Sequence, residues 1–469
     1  MEPALYSPKP LDLTRRHFIN SYPPFNVTRQ AELDCLQTRR DLLLYIHIPF
    51  CPTICTYCFY KKFGNPAPAI VEQYLQYLKR EILLFSQRPE VQNKRVKTLY
   101  IGGGTPTTLT SAQLVELTGW LREHLDLSTL EEFCCEMMPD EVTATPEKLS
   151  VLKELGVTRI SFGVETLNDS ILRLHNRRCT RALYDATYET VKQLGFEKIN
   201  IDMMSGLAGE TWETWTSSIE KLLEWEPPSI SIYKYEVFYN TTMFSSMRNG
   251  RIPPPLITDE EEIRHIRHAH ETLCSKGGYI VANCLHLLKD WKYNDLHYRS
   301  LWQGGELKGL GLSAHSSYEG YLHQNAADLP EYYRMLEENR LPVKRAYQLT
   351  VRDRLSQAMV YGLKNLAIKR ADFIASFGVD LAELYGEIID QLVADGVLSI
   401  DDDWLRIRPD YYIFADDICR QFFLPEYQNM IPAHLDRSTA ADSLVSIAPG
   451  RAALSSRPRS GWEPQSVAG

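Results

Sequence analysis

No stretch of the 469 residues is apolar for long enough to cross a bilayer, and Met1 is not followed by the charged-then-apolar pattern of a secretory signal. Membrane association and export are therefore not expected. Cysteine is thin, ten in so long a chain, which excludes a disulfide-stapled scaffold. No segment repeats at the periods of solenoids or propellers. An excess of positive charge is also missing. With 51 Lys and Arg against 60 Asp and Glu the net charge is −9, which argues against a general nucleic-acid surface. What remains is ordinary globular composition, 44% hydrophobic and 24% charged, in a chain long enough for two or three domains. Thiols kept unpaired point to a reducing cytoplasm.

Against that background one stretch stands out. Cys51, Cys55 and Cys58 are spaced C-x3-C-x2-C directly after the apolar run 42–46, which reads as a buried strand. Thiolates on one short loop can converge on a soft metal centre, and iron–sulfur clusters are held this way. Where a fourth ligand is expected nearby the chain offers Phe59 and Tyr60, so one iron of such a cluster would stay open. A structural zinc site would need a second ligand pair, and no C-x2-C or H-x3-H follows. Cys134 and Cys135 read as part of a buried strand, and Cys35, Cys179, Cys274, Cys284 and Cys419 as small apolar side chains. Spacing alone favours the open cluster over zinc or coincidence and leaves all three standing.

Taken in order, residues 1–40 are an extended, proline- and aromatic-rich arm, expected to pack across the body or over the mouth of the site. From 41 to 238 strands at 42–48, 96–101, 132–137, 159–163, 198–203 and 230–235 alternate with helices, which implies a parallel sheet. Residues 239–346 change pattern: a Pro-Pro-Pro loop at 253–255, a charged helix at 259–276, then a glycine-rich turn at 304–311. Between 347 and 425, helices at 351–362, 370–377 and 381–395 precede two short strands, as in a winged-helix module, with packing over the site as its plainer role. Residues 426–469, rich in Ser, Pro, Arg and Ala, read as disordered.

The motif Y-x-H-I-P-F-C-x3-C-x-Y-C, seen here as Tyr45 to Cys58, resembles the signature of radical S-adenosylmethionine (SAM) enzymes. The branch it resembles contains oxygen-independent coproporphyrinogen III oxidase, the related heme chaperones, C-methyltransferases and cyclopropanases. The likeness extends from about Tyr45 to the low 420s. It implies an α/β fold, a curled partial (β/α)6 TIM-like barrel with a C-terminal helical, winged-helix-like domain. Chemistry on such sheets gathers at the C-terminal ends of the strands. It also implies a [4Fe–4S] cluster on Cys51, Cys55 and Cys58, which cleaves bound SAM to methionine and a 5′-deoxyadenosyl radical.

By the same resemblance Tyr45, Gly103, Glu136 and the backbone at His315 contact the cluster-bound SAM. Gly102-Gly103-Gly104-Thr105 follows a strand, where glycines let backbone N–H groups approach a ligand. Tyr57, Gly104, Thr105, Arg177, Asp202, Glu165 and Glu236 fall on positions of a second SAM. Glu165 stands where the porphyrin enzymes carry glutamine, and Glu236 where they carry a small or uncharged residue. Two carboxylates would then face a sulfonium, and both are candidates for proton transfer. The plainer alternative pairs one or both with Arg177 or Lys234.

The expected function is radical SAM catalysis with a second SAM used for C-methylation or cyclopropanation. Oxidative decarboxylation of a porphyrinogen, heme carriage on the same fold, and redox-sensing regulation are the alternatives. His297 to Trp302 falls where the chaperones carry H-N-x-x-Y-W and keeps only the His and Trp. Trp291, Tyr293, His297, Tyr298 and Trp302 can instead wall a pocket for a flat or peptide-like substrate. Expected partners are a small-molecule or peptide substrate and an electron donor such as flavodoxin or ferredoxin, with no nucleic acid and no membrane.

Overall fold

The computed structural model describes residues 9–15, 18–29, 41–140, 144–238, 240–249, 251 and 256–428. The expected disordered tail falls outside them from residue 429 on, as do the triple-proline loop and Cys35. Among the described residues no helix is long and apolar enough to cross a membrane.

The N-terminal body alternates strand and helix: β1 (Asp41–Ile48), α1 (Pro68–Ser86), β2 (Arg95–Gly103), α2 (Ser111–His124), β3 (Glu132–Met137), α3 (Pro146–Glu154), β4 (Arg159–Glu165), α4 (Asp169–Leu174), α5 (Arg181–Gln193), β5 (Lys198–Ser205), α6 (Trp212–Trp225) and β6 (Ser229–Lys234). Helix starts follow local chemistry. Pro68 occupies the first turn of α1, where a missing N–H costs nothing, and Thr110 and Gln113 close a capping box on α2. The strands are buried on both faces, as crossover helices require.

The chain continues through α7 (Thr242–Arg248), α8 (Asp259–Gly277), β7 (Ile280–Val281), β8 (His286–Leu288), α9 (Leu296–Trp302), β9 (Glu306–Leu310), β10 (His315–Tyr318), β11 (Tyr321–Asn325), α10 (Leu329–Glu337) and β12 (Val343–Gln348). All twelve strands form one sheet in the order β12-β11-β10-β9-β1-β2-β3-β4-β5-β6-β8-β7. The six expected strands lie side by side and parallel, and among the described residues the two end strands of the sheet do not pair with each other, so the barrel is open. The segment 304–311 is not a turn. It holds β9, a seventh parallel strand against β1, and its glycines misled because long-range pairing overrides local turn propensity.

The C-terminal module is α11 (Val351–Lys364), β13 (Ala367–Lys369), α12 (Arg370–Phe377), α13 (Leu381–Ala394), β14 (Leu398–Ile400), β15 (Trp404–Ile407) and α14 (Ala415–Cys419). Its three strands pair as β13-β15-β14, one more than expected, in a winged-helix arrangement.

The arm binds module to barrel. Tyr22 is fully buried, its ring against Phe423 and Tyr427. Its hydroxyl accepts the Leu424 N–H, and its carbonyl accepts from Gln357. Arg15 joins Glu262 of α8 to Asp417 of α14, and Phe25 rests on the ring of His315, centroids 3.9 Å apart. Replacing Tyr22 by Ala should remove this anchor at a cost of about 3–5 kcal/mol, the usual range for emptying a large aromatic site. Urea unfolding of the variant checks it. A midpoint unchanged from wild type would mean the arm is not part of the fold.

Candidate functional site

Three backbone contacts and one from the Asn176 side chain build the cysteine loop. Phe50–Cys51 pairs parallel with Phe63–Gly64, closing residues 52–62 into a loop at the C-terminal end of β1. The Thr56 N–H donates to the His175 carbonyl at 3.2 Å, and the Asn176 amide donates to the Ile54 carbonyl at 2.8 Å. The Met243 N–H of α7 donates to the Thr56 carbonyl at 2.8 Å. Tyr57, Tyr235, Met243, Phe244 and Met247 form an apolar jacket against which Cys55 and Cys58 pack.

All three cysteines are free; Cys51 is buried, and Cys55 and Cys58 are half-buried. Burial pushes the Cys51 thiol up to about 12 and raises Cys58. Such thiols ionise when a cationic centre takes them. Among the described residues no trio of His, Cys, Asp or Glu stands close enough to hold a lone metal ion. Soft thiolates on a short loop, with no fourth cysteine in the loop itself, and an apolar jacket fit a [4Fe–4S] cluster.

Beside the loop, β2 ends in the glycine run. The Gly104 N–H donates to the Ile48 carbonyl at 2.8 Å and the Thr105 N–H to the Phe50 carbonyl at 2.7 Å. Gly103 has φ +109°, and a Cβ there would stand 2.4 Å from the His47 ring; one at Gly104 would stand 2.5 Å from the Phe50 oxygen. Only glycine lets the two segments come this close. Glu136 accepts from the Gly103 N–H at 2.9 Å and from the Tyr100 hydroxyl at 2.8 Å. Burial raises its carboxyl to about 7. The Tyr45 hydroxyl lies 3.0 Å from His47 Nδ1, and His315 sits under Phe25. Tyr45, Gly103 and Glu136 thus adjoin one another.

A second cluster adjoins Cys55. Arg177 Nη1 is 3.6 Å from Cys55 Sγ, 2.9 Å from the Tyr57 hydroxyl and 3.6 Å from Glu165 Oε1, while Nη2 donates to the Gly163 carbonyl. Glu165 has φ 67° at a register shift in the β4–β5 pairing. A carboxylate residue held in the left-handed region is a strained position of the kind found at functional sites. Burial raises Glu165 to about 7 in spite of Arg177, whose charge Tyr57 and Cys55 also share. Against the pull of burial, Arg177 itself is held well above its ordinary range by Tyr184 first, then Tyr57, Cys55 and Glu165. Asp202 accepts from Ser161 at 2.9 Å and Asn200 at 2.8 Å, and burial raises it to about 6.

Glu236 is placed differently. It lines a cavity with Arg15, Phe18, Lys234 and Asp417, between barrel, arm and α14. Lys234 takes Asp259 as its ion partner, at 3.2 Å. The five-aromatic wall is also divided. His297 and Trp302 are buried, with His297 Nδ1 2.7 Å from the Thr98 hydroxyl, whereas Trp291 is 58% exposed. Tyr298 alone of the five feels Glu136 and Asp202 strongly. Sequence reasoning passed over Tyr100, Tyr233 and, as a site residue, Tyr60, whose hydroxyls belong to the same electrostatic neighbourhood. Tyr60 is 52% exposed by area, and desolvation of its hydroxyl holds its pKa above the ordinary phenol range. The alternation Ser231, Tyr233 on β6, in step with Asp202 on β5, was the available signal.

Comparison with known proteins agrees with this geometry. Residues 45–222 match the Radical SAM superfamily and residues 349–409 the HemN C-terminal domain. A heme chaperone HemW of Bacillus subtilis is 31% identical over 76% of this chain and 92% of its own length. An oxygen-independent coproporphyrinogen III oxidase of Pseudomonas aeruginosa is 27% identical over 88% and 96%. The solved structure of coproporphyrinogen III oxidase (HemN) from Escherichia coli superposes with a TM-score of 0.75 at 24% identity, covering 88% of this chain and 98% of that one.

The raised Glu165 carboxyl has a consequence for stability. Its native pKa, about 7, exceeds the ordinary 4.5, so between these values the native state holds more proton than the unfolded state. Stability then falls as pH rises from 4.5 to 7; below 4.5 the contribution vanishes and above 7 the cost is complete. Cluster-free Glu165→Gln should therefore match wild type near pH 4.5 and exceed it by about 1–3 kcal/mol near pH 8. Denaturant titrations at both pH values measure this, and a variant less stable at pH 8 would show that the ion pair with Arg177 dominates.

Proposed function

The chain belongs to the radical SAM superfamily, in the branch of HemW and oxygen-independent coproporphyrinogen III oxidase, and from that premise we propose that it is an enzyme using a second SAM for C-methylation or cyclopropanation of a small molecule. Its cofactors are a [4Fe–4S] cluster and SAM. Cys51, Cys55 and Cys58 would hold such a cluster, which when bound would supply one-electron reducing chemistry toward SAM and, through it, hydrogen abstraction from an unreactive C–H bond. Glu136 offers carboxylate oxygens to the amino or ribose groups of the first SAM, and Gly103 opens the space beside it. The apolar jacket packed on Cys55 and Cys58 keeps water from that side of the loop.

The observation that carries the second SAM is the Tyr57–Arg177–Glu165–Asp202 cluster beside Cys55. Arg177 can hold a SAM carboxylate, while Glu165 and Asp202 favour a sulfonium by opposite charge. After burial, the neighbour weighing most is the Tyr100 hydroxyl for Glu136, Arg177 for Glu165 and the Ser161 hydroxyl for Asp202, with further acids (Asp202, Glu136, Asp295) adding to each. An acid-weighted interior repels a substrate carrying several carboxylates, which counts against porphyrinogen chemistry. Burial of His297 and Trp302 counts against heme carriage through that segment. Glu236, in its cavity under the arm, is better read as a contact for arm or substrate than as a partner of Glu165.

Anaerobically reconstituted wild type should bind two SAM and form 5′-deoxyadenosine after reduction. Glu165→Gln should weaken only the outer site, by about tenfold to a hundredfold, or roughly 1–3 kcal/mol. Replacing Cys51, Cys55 and Cys58 together by Ala should abolish both cluster absorbance and SAM cleavage. A single SAM per chain sinks the methylene-transfer reading, and efficient vinyl formation from coproporphyrinogen III favours oxidative decarboxylation in its place.

A further inference from the structure

The radical SAM reading requires an outside source of single electrons, and the surface over the cysteine loop has the character of a docking site for one. Besides the buried Arg177, the segments 42–71, 170–181 and 240–251 together hold seven Lys and Arg and no Asp or Glu between the flanking Asp41, Glu72 and Asp169, in a chain whose net charge is −9. Folding brings all three together at residues 54–56. Asn176 bonds the Ile54 carbonyl, the Thr56 N–H bonds the His175 carbonyl, and the Met243 N–H bonds the Thr56 carbonyl. Lys61, Arg173, Arg178, Arg248 and Arg251 are exposed on these segments. Two aliphatic side chains that would ordinarily be buried, Ile54 and Leu174, are 38% and 39% exposed among them. Ile54 adjoins Cys55 in the chain, so a protein seated here lies beside the cysteine loop.

We infer that this collar is the docking surface for a small acidic one-electron carrier protein, with Ile54 and Leu174 as apolar centre and the exposed arginines as rim. The inference rests on the radical SAM reading. Cationic rim against anionic partner steers encounter and fixes orientation, and a desolvated apolar centre supplies the grip. One electron passes per encounter: the carrier leaves oxidised by one electron and the cluster is reduced by one. A nucleic acid fits less well, because the cationic area is short, centred on aliphatic groups and surrounded by a chain of net negative charge.

The test uses reconstituted holoenzyme with purified flavodoxin and plant-type ferredoxin as probes. Calorimetry should show one of them binding, with affinity falling steeply as salt rises. The triple variant Arg173→Glu, Arg178→Glu, Arg248→Glu should bind at least about tenfold more weakly and lose most of the salt dependence. The corresponding triple Gln variant should fall between, which keeps the test decisive if charge reversal disturbs folding. Cleavage of SAM driven by dithionite should be equal in all three proteins, while cleavage driven by the carrier should follow the binding. Unchanged carrier binding in both variants, no binding of either carrier to wild type, or tighter binding of a mixed RNA pool through the same arginines overturns the proposal. If dithionite yields no cleavage even in wild type, the catalytic reading fails, and carrier binding alone still decides the docking surface.

Discussion

The site depends on how closely two backbone segments approach at the C-terminal ends of β1 and β2. Hydrogen bonds from Gly104 to Ile48 and from Thr105 to Phe50 continue the β1–β2 ladder past the last regular pair and into the cysteine loop. The sheet thus extends its rigidity to the first cysteine. A Cβ at Gly104 would push the strands apart at this point, and one at Gly103 would displace the His47 ring. The same separation would release Glu136, which is fixed by the Gly103 N–H, and misplace Tyr45, whose hydroxyl is held by the His47 ring. A loop that would otherwise be soft becomes a seat accurate enough for a cluster and its ligand, because it borrows order from parallel strands buried on both faces.

That accuracy is bought against electrostatic cost. Glu136, Glu165 and Asp202 are buried within one neighbourhood, and each is pushed up by desolvation. Hydrogen bonds from Tyr100, Gly103, Ser161 and Asn200 offset part of the cost and leave the carboxyls poised near neutrality. Acids kept so near one another without a matching set of cations destabilise the empty protein and favour a cationic ligand. SAM is such a ligand, so the instability of the empty site and its affinity for a sulfonium have one origin.

Much of this was readable before the fold was in hand, and the failures have physical causes. The six parallel strands announced themselves because each is a short apolar run followed by an amphipathic helix, a local pattern. The strand Glu306–Leu310 did not, since its pairing with β1 bridges more than 250 residues and its glycines imitate turn chemistry. Tyr57, Arg177 and Asp202 could be named from family motifs, but not the bulge that turns Glu165 toward Arg177, because bulges depend on register. Glu236 looked equivalent to Glu165 in a list of positions. The arm, whose route over α14 no local pattern encodes, places Arg15 and Phe18 around it. Tyr60, Tyr100, Tyr233 and Tyr298 come from four separate elements, so their shared neighbourhood appears only when the sheet is assembled.

Inside and outside the loop, charge is sorted by sign. Buried acids surround the reacting centre, and exposed Lys and Arg surround the cysteines on the solvent side. Arg177 stands at the boundary, within 3.6 Å of both Cys55 and Glu165. The sorting has a physical logic. A cluster reduced by one electron gains negative charge, which nearby cations on the outer face favour and nearby acids on the inner face oppose. A cationic ligand arriving on the inner face relieves that opposition. Reduction should therefore be easier with SAM bound than without it, so that electrons are accepted chiefly when there is SAM to receive them.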